Sequence, residues 1–531
     1  MNNAFTDSIK KVENTAYGEN NRKAYKSTHK HLLDFFYCAG SLRKSFAAGK
    51  RSLFKKGNRT FIANRVSNEV SFENSGAYTK ALNLFFNAFD EDPILAVATL
   101  FWLRDIRGGA GERQIFRSIY KAALEEPRTK AAVLSCANLI PEYGRWDDLW
   151  NCLNPFNSQY QDILGFLITK AQQDPTTAQL IAKWLPRERG KKAVLARQLA
   201  NITSQTIKSY RVVNSRLSTN TVETQMSAKE WDDILFERVP SVAMSRYVKA
   251  FNRNAKNAFM NYKEKLVKGE AKINASVVFP YEVIKSLRFS KDNALATAQW
   301  ESLPNYIPKD MTIMPIVDVS GSMASVSIGN GVTALDVAVS LGMYCAERQT
   351  GPFKSLFMTF SRSPQFVNLA RLGRSLLSKL VGMERSDWAM NTDIDAAMRL
   401  ILATAKKANA TQKELPQVLL ILSDMNFDQA NTYWRGNKGV NNTYLEDTKE
   451  LFSRNGYKMP HVVFWNLNGA TGHVPALHDM ENISMVSGFS PTIMQTILAG
   501  EEYTPMDTLL NTVASKRYLP VIIAVQKILG E

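Results

Sequence analysis

The sequence predicts a multidomain α and α/β protein, with an N-terminal α-helical repeat module and a C-terminal doubly wound domain. Two observations predict this fold class. Residues 1–300 contain amphipathic stretches at short intervals, broken by prolines and without a long strand. Residues 308–531 alternate apolar strand-like runs with helical stretches, a pattern typical of a mainly parallel sheet covered on both faces.

In the N-terminal part, helices are predicted over 77–89, 93–104 and 112–124. Helices that follow one another in this way indicate an α-solenoid with degenerate repeats, since no strict sequence period is present. In the C-terminal part, strands are predicted to end at Asp318 and Asp424 and to cover 353–360, 461–467 and 483–489. The helices predicted between and after them cover 332–349, 375–382, 394–408, 444–455, 491–498 and 506–515. We place the boundaries at 1–295 for the helical module, 296–307 for a linker and 308–531 for the α/β domain.

Composition predicts a soluble cytoplasmic protein. The 531 residues are 45% hydrophobic, and no uninterrupted apolar run reaches the roughly 18 residues of a membrane span. The first residues lack the charged and then apolar pattern of a signal peptide. The four cysteines lack metal-site spacing, so we expect thiols in a reducing compartment.

The positive charge is confined to the helical part. Residues 1–300 contain 46 Lys and Arg against 28 Asp and Glu, a net charge of +18, whereas the whole chain has +17. Such asymmetry indicates a polyanionic partner for the helical part alone. Nucleic acid is the favoured partner and an acidic membrane surface the second choice, while a solvated basic surface without a partner is the plain alternative.

The segment Asp318-Val-Ser-Gly-Ser322 follows an apolar run rich in Ile and Val. It would place the oxygens of Asp318, Ser320 and Ser322 at the carboxyl end of a buried strand, where open parallel sheets bind ligands. Hard oxygen donors without sulfur or imidazole suit Mg²⁺ or Mn²⁺. A Ser/Gly turn after a core strand is the alternative explanation.

Two later segments favour the metal site. Thr392 and Asp393 stand at a predicted helix start, and a second buried run, 418–423, ends at Asp424. This order of pieces resembles the metal-ion-dependent adhesion site of von Willebrand factor A domains. The resemblance implies that Ser320, Ser322 and Thr392 bind the metal through hydroxyls. It also implies that Asp318 and Asp424 act largely through water, and that an open coordination position accepts an acidic group from a partner. Asp424 is followed by Met425 and not by the usual glycine-containing turn, which affects the expected loop shape.

Several basic segments are candidates for contacting RNA. Residues 104–113 crowd arginines around three glycines, which suits close approach to phosphate, although a capped turn between helices is an equal alternative. The second group of candidates lies on a basic linker and on the two helices predicted after it. A third segment, 43–59, mixes basic residues with phenylalanines, which suits single-stranded nucleic acid, although a charge run around buried phenylalanines is the slightly favoured alternative. The candidate residues for contacting RNA are Arg104, Arg107, Arg113, Arg187, Arg189, Lys191, Lys192, Lys208 and Arg211.

Segments 104–113, 140–150, 184–189, 222–231, 239–244 and 271–275 resemble an uncharacterised TROVE-related family that joins a helical-repeat module to a von Willebrand A domain. The two-part plan is similar to the Ro autoantigen family, whose HEAT-like repeats close into a ring. The resemblance implies binding of structured or misfolded non-coding RNA and of single-stranded ends. It also implies a magnesium-dependent docking domain.

We therefore expect an RNA-binding protein and not an enzyme. None of the five histidines stands in a metalloprotease pattern, and no residue stands out as a general acid or base. The alternative function is a metal-dependent protein-interaction scaffold that does not bind RNA.

Overall fold

A computed structural model describes residues 14–17, 23–42, 76–218, 221–275, 278–290, 292–325, 327–329, 332–360, 364–384, 394–425, 444–467, 474–490, 493–494 and 504–530. Within these ranges the N-terminal part is built almost wholly from helices, and the C-terminal part contains a mixed six-stranded sheet. The predicted combination of α and α/β parts is confirmed.

Sixteen helices of the described residues precede the sheet. They are α1 (His31–Ala39), α2 (Gly76–Glu91), α3 (Pro93–Arg104), α4 (Gln114–Glu125), α5 (Pro127–Ser135), α6 (Ile140–Tyr143), α7 (Trp146–Cys152), α8 (Gln161–Gln173), α9 (Ala178–Trp184), α10 (Ala193–Ile202), α11 (Ile207–Leu217), α12 (Val222–Ala228), α13 (Ser241–Asn254), α14 (Lys256–Lys268), α15 (Pro280–Ser290) and α16 (Asn293–Glu301). Helix α16 extends through the first half of the predicted linker.

Local sequence explains the helix boundaries. Asp92 accepts a hydrogen bond from the Leu95 amide at 2.8 Å and Pro93 opens α3, so the carboxylate and the proline separate α2 from α3. The apolar face predicted for α4 is buried, as its 3.6-residue period requires.

The sheet contains β3 (Ile313–Asp318), β6 (Leu356–Phe360), β7 (Gln365–Asn368), β8 (Val418–Ser423), β9 (His461–Asn466) and β10 (Ile483–Ser487). Its spatial order is β10-β9-β8-β3-β6-β7, and only β7 runs antiparallel. Numbered along the chain, the order is 6-5-4-1-2-3, that of a doubly wound sheet. The chain reverses its direction of winding between β3 and β8, which makes this pair the topological switch point.

The helices of the α/β part are α17 (Gly321–Ser325), α18 (Ala334–Arg348), α19 (Leu376–Glu384), α20 (Ile394–Lys407), α21 (Tyr444–Arg454), α22 (Pro505–Val513) and α23 (Leu519–Leu529). Most lie within a few residues of the predictions. Most of the helix predicted at 491–498 lies outside the described residues. The edge strand β7 and helix α23 were not predicted. Two small hairpins complete the fold: β1 (Thr15–Tyr17) with β2 (Lys23–Tyr25), and β4 (Ser327–Gly329) with β5 (Val332–Thr333).

The main hydrophobic core extends through both parts of the chain. Helix α1 packs against β10, and α3 packs against α23. One continuous buried cluster therefore includes Phe36 and Trp102 as well as Ile316 and Val525. A separate, smaller core is built by residues 222–295.

In the part of the chain that the structure describes, no helix is long and apolar enough to cross a membrane. The four cysteines are buried and form no disulfide, as the sequence predicts. Burial raises the pKa of each thiol, and that of Cys136 reaches about 11.

Candidate functional site

The carboxyl ends of β3 and β8 bring two acidic side chains to the switch point of the sheet. The two strands pair in parallel from Ile313 with Val418 to Val317 with Leu422. Asp318 ends β3 and Asp424 directly follows β8, and both side chains are fully buried. This is the position at which doubly wound sheets bind ligands.

Hydrogen bonds fix the loop after β3. The Ser320 amide donates to Asp318 Oδ1 at 2.9 Å, and the Ser320 and Ser322 hydroxyls lie 2.9 Å apart. The Ser423 hydroxyl donates to Asp318 Oδ2 at 2.5 Å. The sequence alone does not identify Ser423, because a serine at the end of an apolar strand matches no motif. The structure thus joins Asp318, Ser320 and Ser322 as predicted and adds Ser423.

The carboxylate pair makes this point electrostatically unfavourable without a cation. Burial and the negative charge of Asp424 raise the pKa of Asp318 to about 7, although hydrogen bonds from Ser423 and Ser320 oppose the rise. Two carboxyl groups buried side by side hold a proton or a positive ion more strongly than exposed ones do. A divalent cation would remove this repulsion.

The donor set fits Mg²⁺ or Mn²⁺. Carboxylate and hydroxyl oxygens are the hard ligands that these ions prefer. Among the residues with described side chains, no three His, Cys, Asp or Glu groups come together to form an acidic or imidazole metal site. The candidate centre therefore depends on hydroxyl ligands in addition to Asp318 and Asp424. Thr392, the remaining predicted ligand, and Asp393 lie outside the described residues.

The residue after Asp424 adopts the backbone conformation that glycine favours, although it is a methionine. Met425 has a φ of +65°, in the left-handed region. Its amide donates to the Ser423 hydroxyl at 3.0 Å, so the same hydroxyl contacts both Met425 and Asp318. The departure from the expected turn sequence therefore does not prevent a left-handed turn here.

The structure contradicts one member of the first group of RNA candidates, Arg104. Its side chain is 1% exposed, and its Nε and Nη2 donate to Asp148 Oδ2 at 2.8 and 2.6 Å. Arg117 donates to the other oxygen of Asp148 at 2.7 Å. A guanidinium fully engaged with a buried carboxylate is not available to a phosphate, so the Arg104 prediction is wrong. Asp148 lies in the first turn of α7, where an acidic residue also suits the helix dipole.

Arg107 and Arg113 remain exposed beside this network. Arg107 Nη1 donates to the Glu142 carbonyl at 2.7 Å. Partial burial and the positive charges of Arg145 and Arg117 lower the pKa of Arg113. Asp147 and Asp148, which form ion pairs with Arg117 and Arg145, oppose this lowering.

The glycine loop at 105–112 serves contacts within the chain. A Cβ atom on Gly109 would lie 2.0 Å from the Trp102 carbonyl oxygen, so the backbone approaches its own helix. Asp105, fully buried, accepts hydrogen bonds from Arg517 Nε at 2.5 Å and from the Tyr518 hydroxyl at 3.1 Å. Tyr518 also stacks on Tyr143 with ring centroids 5.6 Å apart. This loop therefore anchors the segment that precedes α23.

The second group of candidates forms a basic surface. All six side chains are exposed, and they lie on the loop between α9 and α10 or on the exposed side of α11. We call this set the 187–211 surface: Arg187, Arg189, Lys191, Lys192, Lys208 and Arg211. The third candidate segment, 43–59, lies outside the described residues.

Three arginines of this surface line one cavity of about 360 Å³. The other lining residues are Pro186, Glu188, Tyr210 and Asn214. The Tyr210 hydroxyl donates to the Pro186 carbonyl at 3.0 Å, which fixes the loop against α11. Neither Tyr210 nor Asn214 was selected from the sequence.

Comparison with known proteins finds two domain families of unknown function. Residues 176–310 match the model of the domain of unknown function DUF2828, and residues 312–518 match that of DUF7788. The two ranges adjoin immediately before β3. The chain is also similar to the uncharacterized protein L728 of Acanthamoeba polyphaga mimivirus, with 26% identity across 96% of this chain and 89% of that protein.

Proposed function

We propose that this protein binds RNA through its helical part and binds Mg²⁺ or Mn²⁺ at the carboxyl ends of β3 and β8. The observation that carries the RNA proposal is the 187–211 surface, on which six exposed cations lie within the part of the chain that holds the whole positive excess. Contacts from Lys and Arg to phosphates are largely independent of sequence and sensitive to salt. Arg107 and Arg113 would extend the surface.

In this proposal the α/β part is a von Willebrand A domain. The strand order and the buried Asp318 and Asp424 at the switch point support it. Ser320, Ser322 and Thr392 would supply hydroxyls to the cation, which would hold an acidic group of a protein partner. The helical part would be a HEAT-like, TROVE-related module, in a ring or partial ring of the Ro type. Hydroxyl-rich ligation leaves the cation electrophilic and favours binding over catalysis.

The surface is tested by changing the lysines alone. Lys191→Gln, Lys192→Gln and Lys208→Gln are combined in one variant, and its affinity for a structured RNA with a single-stranded 3′ tail is measured over a salt series. If the three lysines neutralise phosphates, the slope of log affinity against log salt falls by about 2.

The matched control removes the same charge from the α/β part, with Lys406→Gln, Lys407→Gln and Lys413→Gln, all exposed in the folded chain. We expect it to keep the wild-type slope. Equal slopes for both triple variants, or a wild-type protein that does not bind RNA at low salt, would refute the RNA proposal.

The second candidate function is a metal-dependent protein scaffold without RNA binding. The buried pair Asp318 and Asp424 favours it, because that site is independent of the basic surface. Retention of an acidic partner by Mg²⁺, abolished by Asp318→Asn, together with no affinity for RNA would select this function.

A further inference from the structure

The cavity between the α9–α10 loop and α11 contains more donors than the fold uses. Arg187 Nη2 donates to the Ser218 hydroxyl at 3.1 Å, and Arg211 Nη1 reaches Glu188 at 3.3 Å. Arg189, the third arginine, also lines the cavity and is exposed. These contacts leave most of the fifteen or so N–H donors of three guanidinium groups available, since each group carries five.

A buried amide adds a further donor. Asn214 is 1% exposed, and its Oδ1 accepts from Gln172 Nε2 at 3.2 Å. Its Nδ2 is buried and has no hydrogen bond of ordinary geometry, although the Tyr210 hydroxyl lies nearby. A buried amide donor without an acceptor is unfavourable, and a ligand oxygen in the cavity would satisfy it.

The charges of the lining define the ligand further. Three arginines and Glu188 give the cavity a net charge of +2. A phosphate monoester carries about −1.5 to −2 at neutral pH, whereas a phosphodiester within a nucleic acid strand carries a single negative charge. Planar guanidinium groups bind phosphate oxygens in pairs. The charge of the cavity therefore matches a terminal phosphate better than an internal one.

We propose that this cavity binds the terminal phosphate of an RNA strand. The inference rests on the proposed RNA-binding function and specifies which part of the RNA enters the site. Lys191, Lys192 and Lys208 lie on the same loop and helix as the lining residues and add positive charge, which suits an extended polyanion more than a single phosphorylated side chain. The volume of about 360 Å³ also leaves room for the adjoining sugar.

The test compares RNA ends on the full-length protein. Single-stranded RNAs of one sequence, about twelve nucleotides long, carry a 5′ phosphate, a 3′ phosphate or hydroxyls at both ends. Fluorescence anisotropy at constant salt gives the affinity for each RNA. We expect one phosphorylated end to bind about tenfold more tightly than the hydroxyl ends, as charge-assisted hydrogen bonds would produce.

Two variants of the lining make the test specific. Arg189→Gln with Arg211→Gln should reduce the preference for the phosphorylated end to less than about twofold. Glu188→Gln should increase the preference, because it removes a competing carboxylate and releases Arg211. The control, Arg253→Gln with Lys256→Gln, changes two exposed cations outside the lining and should retain the preference.

The outcomes separate this inference from the proposed function. RNA binding that is equal for all three ends overturns the terminal-phosphate site and leaves the proposed function standing. Absence of binding to every RNA overturns both. Tighter binding of a phosphoserine peptide than of the phosphorylated RNA would assign the cavity to a protein ligand and overturn the inference as well.

Discussion

Replacing Asp318 by Asn should stabilise the metal-free protein at alkaline pH. The pKa of Asp318 is about 7 in the fold against an ordinary value of 3.8. Between these values the folded protein holds a proton that the unfolded chain has released, so the free energy of unfolding falls as pH rises through this window. A shift of about three units corresponds to about 4 kcal/mol, lost in full above about pH 7.

Asparagine cannot ionise and keeps an oxygen for the Ser320 amide. We therefore expect Asp318→Asn to be about 2 to 4 kcal/mol more stable than the metal-free wild type near pH 8, and the difference between the two proteins to shrink as pH falls from about 7 to 4. Urea unfolding in the presence of a chelator, near pH 5 and near pH 8, measures both quantities. The exposed carboxylate of Asp310 supplies the control, since Asp310→Asn should change the stability by less than about 0.5 kcal/mol.

Added Mg²⁺ should offset most of this difference in stability. At about one hundred times its dissociation constant, the ion would stabilise the wild type by about 2.7 kcal/mol and the variant not at all. The destabilising role of ionised Asp318 is refuted if the metal-free wild type and Asp318→Asn have equal stability near pH 8 and the same dependence on pH. Binding of the cation at this site is refuted if Mg²⁺ and Mn²⁺ stabilise neither protein.

Three further predictions concern the stability of the fold. Burial lowers the pKa of His461 from 6.5 to about 4, so the wild type should lose about 3 kcal/mol relative to His461→Gln as pH falls from about 6.5 to 4, and urea unfolding of the two proteins at both pH values measures this difference. Arg104→Met should destabilise the protein by about 3 to 5 kcal/mol, because it leaves buried Asp148 without one of its two arginine partners, and thermal unfolding would contradict this if the midpoint were unchanged. Arg517→Met should cost about 2 to 4 kcal/mol through the loss of its bond to buried Asp105 and should increase proteolysis of α23, whereas the exposed control Arg454→Met should cost less than about 0.5 kcal/mol.

The positions of Asp318 and Asp424 could be predicted from the sequence because the signals that place them are local. Asp318 and Asp424 each end an apolar run, and parallel strands bring their carboxyl ends to one edge without any knowledge of the rest of the fold. Ser423 was missed because its role depends on a contact with a residue 105 positions away.

The arginines were harder to interpret for the same reason. Arg104 is paired with a carboxylate 44 residues further along, and a sequence does not reveal which basic side chains are neutralised in this way. The 187–211 surface was recognised because its cations are close in sequence and on neighbouring elements. The edge strand β7 was missed because only four residues form it and its exposed positions lack the apolar pattern of the inner strands.

The salt bridge between Asp105 and Arg517 has a consequence for synthesis on the ribosome. The two residues are separated by 412 positions in the sequence. Helix α23, which follows Arg517, packs on α3. At a translation rate of about 5 to 20 residues per second, the face of α3 that packs on α23 stays uncovered for roughly 20 to 80 seconds after α3 is made. During that time the apolar residues on this face are exposed to the solvent and to other nascent chains. We therefore expect completion of the N-terminal core to wait until α23 has been synthesised, and chaperone binding to concentrate on α3 until α23 emerges.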